Sequence, residues 1–132
     1  MNITSRKSTI ENSQEEVFNY LTNLDNLQYL LPKGKYSDWE GSEDKCSFKI
    51  QGFKIPLEKV ETIPNEKIKM KTAKGSPVDF DLNIELTDNG DGTTTGQVIS
   101  DLRVNMFLKG MIKKPLTSLF EYMAERLEKV DY

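Results

Sequence analysis

The spacing of apolar residues along the chain changes from helical to alternating and then back to helical. Near the start, Val17, Phe18 and Leu21 recur at helical spacing. Ser13, followed three residues later by Glu16, has the pattern of a capping box, in which each residue satisfies a backbone N–H of the other. This segment therefore predicts a first helix that begins after Ser13.

Two shorter elements flank the first helix. The β-branched residues within Met1 to Ile10 predict a short N-terminal strand. Leu27, Leu30 and Leu31 indicate a second short helix, and Pro32 would end it because a proline disfavours helical geometry in the residue before it.

From Lys35 to Val104 the apolar residues alternate with polar ones, which predicts about six strands. Alternation is strictest from Val78 to Leu86, and the Asp-Asn-Gly-Asp-Gly segment that follows is typical of a hairpin loop. The apolar positions change parity between Leu57 and Val60, which indicates a β-bulge. Short turns between consecutive strands predict an antiparallel meander.

The last segment, from about Met106 to Val130, returns to helical spacing, and Asn105 is placed to cap it. We expect Pro115 to kink or divide this helix, because an interior proline removes one backbone hydrogen bond. The apolar stripe of its second half comprises Leu116, Leu119, Phe120, Met123, Leu127 and Val130.

These elements predict a single α+β domain over residues 1–132. Each strand has one apolar face, and the C-terminal helix is the only element long enough to cover the sheet. We therefore expect a curved antiparallel sheet of about six to seven strands wrapped around this helix, with two short helices after the first strand.

Composition and charge narrow the chemistry. The net charge is −3, from 18 basic and 21 acidic residues, so the chain lacks the basic excess that nucleic-acid binding requires. The chain contains no histidine, which excludes Ser-His-Asp and Cys-His catalysis and histidine-ligated metals. We expect no metal and no cofactor.

The same totals bear on the compartment. Cys46 is the only cysteine, so no internal disulfide is expected and the reducing cytoplasm is the natural location. The N-terminal segment MNITSRKSTIENS has no apolar run typical of a secretory signal. No stretch approaches the ~20 apolar residues of a membrane span, so we expect no integral membrane segment.

The element order resembles the helix-grip fold of the START/Bet v 1-like (SRPBCC) superfamily, which includes polyketide cyclases and lipid-transport proteins. The segment from Ile10 to Leu27 is similar to the usual opening of that family, with a small capping residue, an acidic turn and a Val-Phe pair. Leu31-Pro32 and the Met-rich start of the last helix, interrupted by Lys114-Pro115, are similar to the carbon-monoxide dehydrogenase branch of the superfamily.

This resemblance implies an internal cavity, between the sheet and the last helix, that binds a hydrophobic or amphipathic small molecule for transport or sequestration. Methionines suit such a pocket because their side chains adapt to varied ligands. Ser100 would either orient a polar group of the ligand or bond to backbone or water. The expected lining residues are Leu30, Phe48, Ile50, Ile55, Leu57, Ile68, Met70, Phe80, Leu82, Ile84, Val98, Ser100, Leu102, Met106, Met111 and Phe120.

Two other functions stay open at this point. A cyclase- or hydrolase-type enzyme would need a proton-transferring group at the cavity, and the candidates are Tyr29, Tyr36, Asp38 and Glu40. We expect catalysis less than simple binding, because no catalytic set is evident.

An accessory interaction module or homodimer would need an exposed anchor, for which Trp39 is the candidate. A row of lysines, Lys67, Lys69, Lys71 and Lys74, would either attract an anionic partner or solvate one sheet face; we favour solvation.

Overall fold

The computed structural model describes residues 1–132 and confirms the predicted α+β class. An antiparallel sheet in the order β1-β8-β7-β6-β5-β4-β3 encloses one long C-terminal helix. The strands are β1 (Asn2–Thr4), β2 (Ser8–Ile10), β3 (Tyr36–Gly41), β4 (Lys45–Ile50), β5 (Phe53–Ile63), β6 (Lys67–Thr72), β7 (Asp79–Asp88) and β8 (Thr94–Arg103).

The N-terminal segment forms two strands where the sequence predicted one. Both β1 and β2 pair antiparallel with β8, and Ser5 lies at the break between them. The Ser5 hydroxyl accepts a hydrogen bond from the Val98 N–H at 2.9 Å, so a side chain replaces the regular ladder at this point.

The first helix, α1 (Gln14–Leu21), begins as predicted. Ser13 Oγ accepts from the Glu16 N–H at 3.2 Å, and the Glu16 carboxylate accepts from the Ser13 N–H at 3.4 Å. The second short helix is a 3₁₀ helix (Leu24–Leu30), and Asn23 Oδ1 caps it by accepting from the Asp25 N–H at 3.1 Å.

Two irregularities bend the sheet. The β5–β6 register shifts between Lys59 and Glu61, which confirms the predicted bulge and leaves Val60 exposed. A second shift, between Ser37 and Glu40 in β3, includes Asp38 at a φ of 56°. Because bulges increase strand twist and curvature, they help the sheet to wrap around the helix.

The long helix, α2 (Met106–Leu127), is continuous through Pro115, so the proline does not divide it. Asn105 caps it as predicted, accepting from the Leu108 N–H at 2.8 Å. Its buried residues form one stripe that faces the 3₁₀ helix and strands β2 and β8. They are Ile112, Leu116, Leu119, Phe120, Met123, Ala124 and Leu127. None of the helices combines the length and apolar character that crossing a bilayer requires.

Candidate functional site

The inner face of the sheet is almost entirely apolar. Fourteen of the residues expected to line a cavity are buried there or against it: Leu30, Phe48, Ile50, Ile55, Leu57, Ile68, Met70, Phe80, Leu82, Ile84, Val98, Ser100, Leu102 and Phe120. Phe80 meets Phe120 of α2 edge-on, with ring centroids 5.8 Å apart. These residues form the interface between sheet and helix, and their role as ligand contacts stays a prediction.

The structure places Met106 and Met111 differently. Both lie on the surface, with exposed fractions of 87% and 54%. Ile112 is the first residue of α2 that reaches the core. The residues before it extend past the part of the helix that the sheet and the 3₁₀ helix cover, so helical spacing alone did not locate these two methionines.

Ser100 is a polar exception within the apolar inner face. It is fully buried, and its strand neighbours are Leu82 on β7 and Ile3 on β1. Its hydroxyl is the only buried side-chain polar atom without a hydrogen-bond partner in the protein. Such an atom costs about 1–3 kcal/mol of stability, so Ser100 offers the interior a free hydroxyl.

A cleft of about 740 Å³ opens where α2 passes the end of the sheet. Three segments build it: the loop after the 3₁₀ helix, the turn between β4 and β5, and the middle of α2. The lining residues are Pro32, Lys35, Ile50, Gln51, Lys114, Pro115, Ser118, Leu119 and Tyr122.

Local sequence explains how two of these segments reach the cleft. Gln51 and Gly52 have φ values of 49° and 81°, which is typical of a two-residue type I′ hairpin turn, and this turn holds Ile50 beside α2. Leu31 is extended, as expected before a proline, and directs Pro32 away from the 3₁₀ helix.

The cleft combines apolar walls with positive charge. Ile50, Pro115 and Leu119 supply hydrophobic surface, while Lys35 and Lys114 lie at the rim. No carboxylate lies within 4 Å of either ammonium group. This arrangement suits an amphipathic molecule whose polar end is anionic.

Known proteins share this architecture. No protein-family model matches the chain, and no curated protein matches it in sequence. Among solved structures, the protein XoxI from Bacillus cereus aligns with a TM-score of 0.75 at 12% identity, over 97% of this chain and 93% of that one. A START superfamily protein from Mycobacterium smegmatis aligns with a TM-score of 0.69 at 13% identity, over 98% and 99%.

Norcoclaurine synthase from Thalictrum flavum, solved with dopamine and hydroxybenzaldehyde, aligns with a TM-score of 0.73 at 14% identity, over 98% of this chain and 84% of that one. The chain has the START/Bet v 1-like fold. At these identities the likeness concerns the fold alone, which serves enzymes as well as other proteins.

The residues considered for catalysis in this START-like chain do not converge. Tyr29, Asp38 and Glu40 are exposed and Tyr36 is half-buried, and none of the four lines the cleft beside Pro115. No aspartate or glutamate is buried anywhere in the chain. The interior therefore lacks the desolvated carboxylate that acid–base catalysis there would need.

Trp39 has a structural role. Its N–H donates to Asp25 Oδ1 at 3.1 Å, and its ring stacks on Phe48 with centroids 6.0 Å apart. These contacts tie the edge strand β3 to the 3₁₀ helix. Nearby Cys46 is buried, and desolvation together with the Asp25 charge raises the pKa of its thiol to about 12, so it is a poor nucleophile.

The lysine row of β6 is neutralised on the outer face of the sheet. Lys67 pairs with Glu85 at 3.2 Å, Lys69 with Glu61 at 3.5 Å, and Lys71 with Glu58 at 3.7 Å. The structure thus agrees with a solvated sheet face.

Arg103 forms a second ionic group on the outer face. It binds Asp79 and Asp81, with shortest distances of 3.0 and 2.9 Å, and approaches Asp101 at 3.5 Å. Its bonds to Asp79 lower the pKa of that carboxyl. This cluster lies on the opposite side of the sheet from α2, so it takes no part in the cleft.

Sequence reasoning identified only Ile50 among the cleft residues. The others were missed because the cleft joins three segments distant in sequence. Two signals pointed toward it: Pro115 inside a helix, and Gly52 between two alternating strands.

Proposed function

We propose that this chain binds an amphipathic small molecule with an apolar tail and an anionic head, at the cleft beside Pro115. The cleft itself carries the proposal, since it is the place where hydrophobic walls and unpaired lysines meet at the junction of sheet and helix. The tail would contact Ile50, Pro115 and Leu119, and the head would lie between Lys35 and Lys114.

The START/Bet v 1-like fold supports a binding role, because related structures place small molecules in complexes with this architecture, as with norcoclaurine synthase. The absence of a buried carboxylate favours binding over proton-transfer catalysis in this chain. We therefore propose carriage or sequestration of the ligand without chemical change.

The first experiment tests the cleft by blocking it. An environment-sensitive dye is bound to the purified protein and displaced with decanoate, and the same titration is run on Ser118→Trp. We expect the indole to fill the cleft and lower the apparent affinity for decanoate by about tenfold or more. Ser37→Trp, an exposed serine outside the cleft, is the matched control and should bind as the native chain does.

The second experiment tests the head group. Lys35→Gln combined with Lys114→Gln should weaken decanoate binding by about tenfold, since each exposed ion pair contributes up to ~1 kcal/mol, and should leave decanol binding unchanged. Equal losses for the acid and the alcohol would reject the anionic head. Undiminished binding by Ser118→Trp would reject the cleft as the ligand site.

A further inference from the structure

The first two turns of α2 expose large apolar side chains. Met106, Phe107 and Met111 have exposed fractions of 87%, 81% and 54%. Soluble proteins expose single apolar residues routinely, but three within six consecutive positions form a patch that indicates an interaction surface. Together with Lys109 and Lys113, which lie among them, these residues are called the exposed α2 end.

Charge distinguishes this surface from the rest of the molecule. The chain carries a net charge of −3, yet residues 105–120 contain three lysines and no aspartate or glutamate. Neither Lys109 nor Lys113 has a carboxylate within 4 Å, whereas Lys67, Lys69 and Lys71 on the sheet are all paired. The exposed α2 end is therefore a basic and apolar pole on an acidic protein.

We propose that the exposed α2 end adsorbs to the surface of a bilayer that contains anionic phospholipids. Phe107 and the two methionines would enter the headgroup region, while Lys109 and Lys113 would lie against lipid phosphates. A short helical segment with apolar residues flanked by lysines has the composition of an interfacial helix.

The arrangement of the apolar side chains favours a bilayer over a protein groove. At 100° per residue, Met106, Phe107 and Met111 project over a wide sector of the helix, with Gly110 and lysines between them. A grooved partner selects a narrow stripe of anchors, but a fluid lipid surface admits separate projecting side chains. The adsorption surface is distinct from the ligand cleft, so this inference does not depend on the proposed ligand.

The test is flotation of the intact protein with vesicles of phosphatidylcholine alone or of an equimolar mixture with phosphatidylglycerol. We expect binding to the anionic vesicles, weakened by high salt, and little binding to phosphatidylcholine. Lys109→Gln combined with Lys113→Gln should lower the partition coefficient by roughly 25-fold, because each lysine near an anionic surface contributes about fivefold.

Two matched controls separate this surface from general charge and hydrophobicity. Lys67→Gln combined with Lys69→Gln makes the same change in net charge on the sheet face and should alter partitioning by less than about threefold. Phe107→Ser should weaken adsorption, while Val60→Ser, at a residue 55% exposed on β5, should not.

Three results would overturn the proposal. They are absence of binding to the anionic vesicles, equal losses for the two lysine pairs, and concentration-dependent dimers in sedimentation that Phe107→Ser abolishes. The last result would assign the surface to a second copy of the chain. Variants with altered cleft residues provide the separate test of ligand binding.

Discussion

The two halves of α2 differ in their relation to the rest of the molecule, although both are rich in apolar residues. Beyond Pro115 the helix buries a continuous stripe, and its hydrogen bonds to other elements all come from Glu121 onward. Before Pro115 only Ile112 is buried. The comparison teaches that apolar content predicts burial only where another element is present to cover it.

The largest effect should come from exchanging a phenylalanine in each half. Phe120→Ala removes a fully buried ring that contacts Phe80, and should lower the free energy of unfolding by about 3–5 kcal/mol. Phe107→Ala removes an exposed ring and should change it by less than about 0.5 kcal/mol. Urea denaturation of both variants measures the difference, and similar losses would show that the first half is also packed in solution.

The next effect concerns the strand against which α2 lies. Ser100→Ala removes a buried hydroxyl with no protein partner, so it should raise the free energy of unfolding by about 1–2 kcal/mol in the ligand-free protein. Ser8→Ala is the control, because the Ser8 hydroxyl donates to the Ala124 carbonyl of α2 and its loss should destabilise by a similar amount.

Opposite signs for these two serines would show that polar satisfaction, and not residue type, decides their contribution. A loss of stability in Ser100→Ala as large as that in Ser8→Ala would mean that the Ser100 hydroxyl has a stabilising partner in solution.

The sequence predicted the features that depend on neighbouring residues. The Ser13–Glu16 capping box, the Asn105 cap and the alternation in β7 each depend on contacts within a few residues, and each is present. The bulge at Val60 was also visible, since a change of parity requires an extra residue in one strand.

Features that depend on distant segments were not predicted. The surface position of Met106 and Met111 depends on how far α2 extends beyond its covering elements, and no local pattern records that length. The cleft needs Pro32, Ile50 and Pro115 to meet, although up to 83 positions separate them in the sequence. Helical spacing also did not distinguish the 3₁₀ helix from an α-helix.

The smallest expected effect compares two lysines and has opposite signs in the two regions. Lys67→Gln breaks a cross-strand pair with Glu85, so it should lower the free energy of unfolding by about 0.2–1 kcal/mol. Lys109→Gln should raise it by a few tenths, about 0.2–0.5 kcal/mol, because Lys109 lies near the positive end of the helix dipole and four residues before Lys113.

Thermal unfolding at low and high salt measures both changes, and added salt should reduce each of them. A loss of stability in Lys109→Gln would mean that this lysine has a stabilising partner within the folded chain. A gain would mean that the lysine is retained at a cost to folding. Such a cost is expected of a residue whose favourable contacts form outside the protein, on the anionic surface proposed for the exposed α2 end.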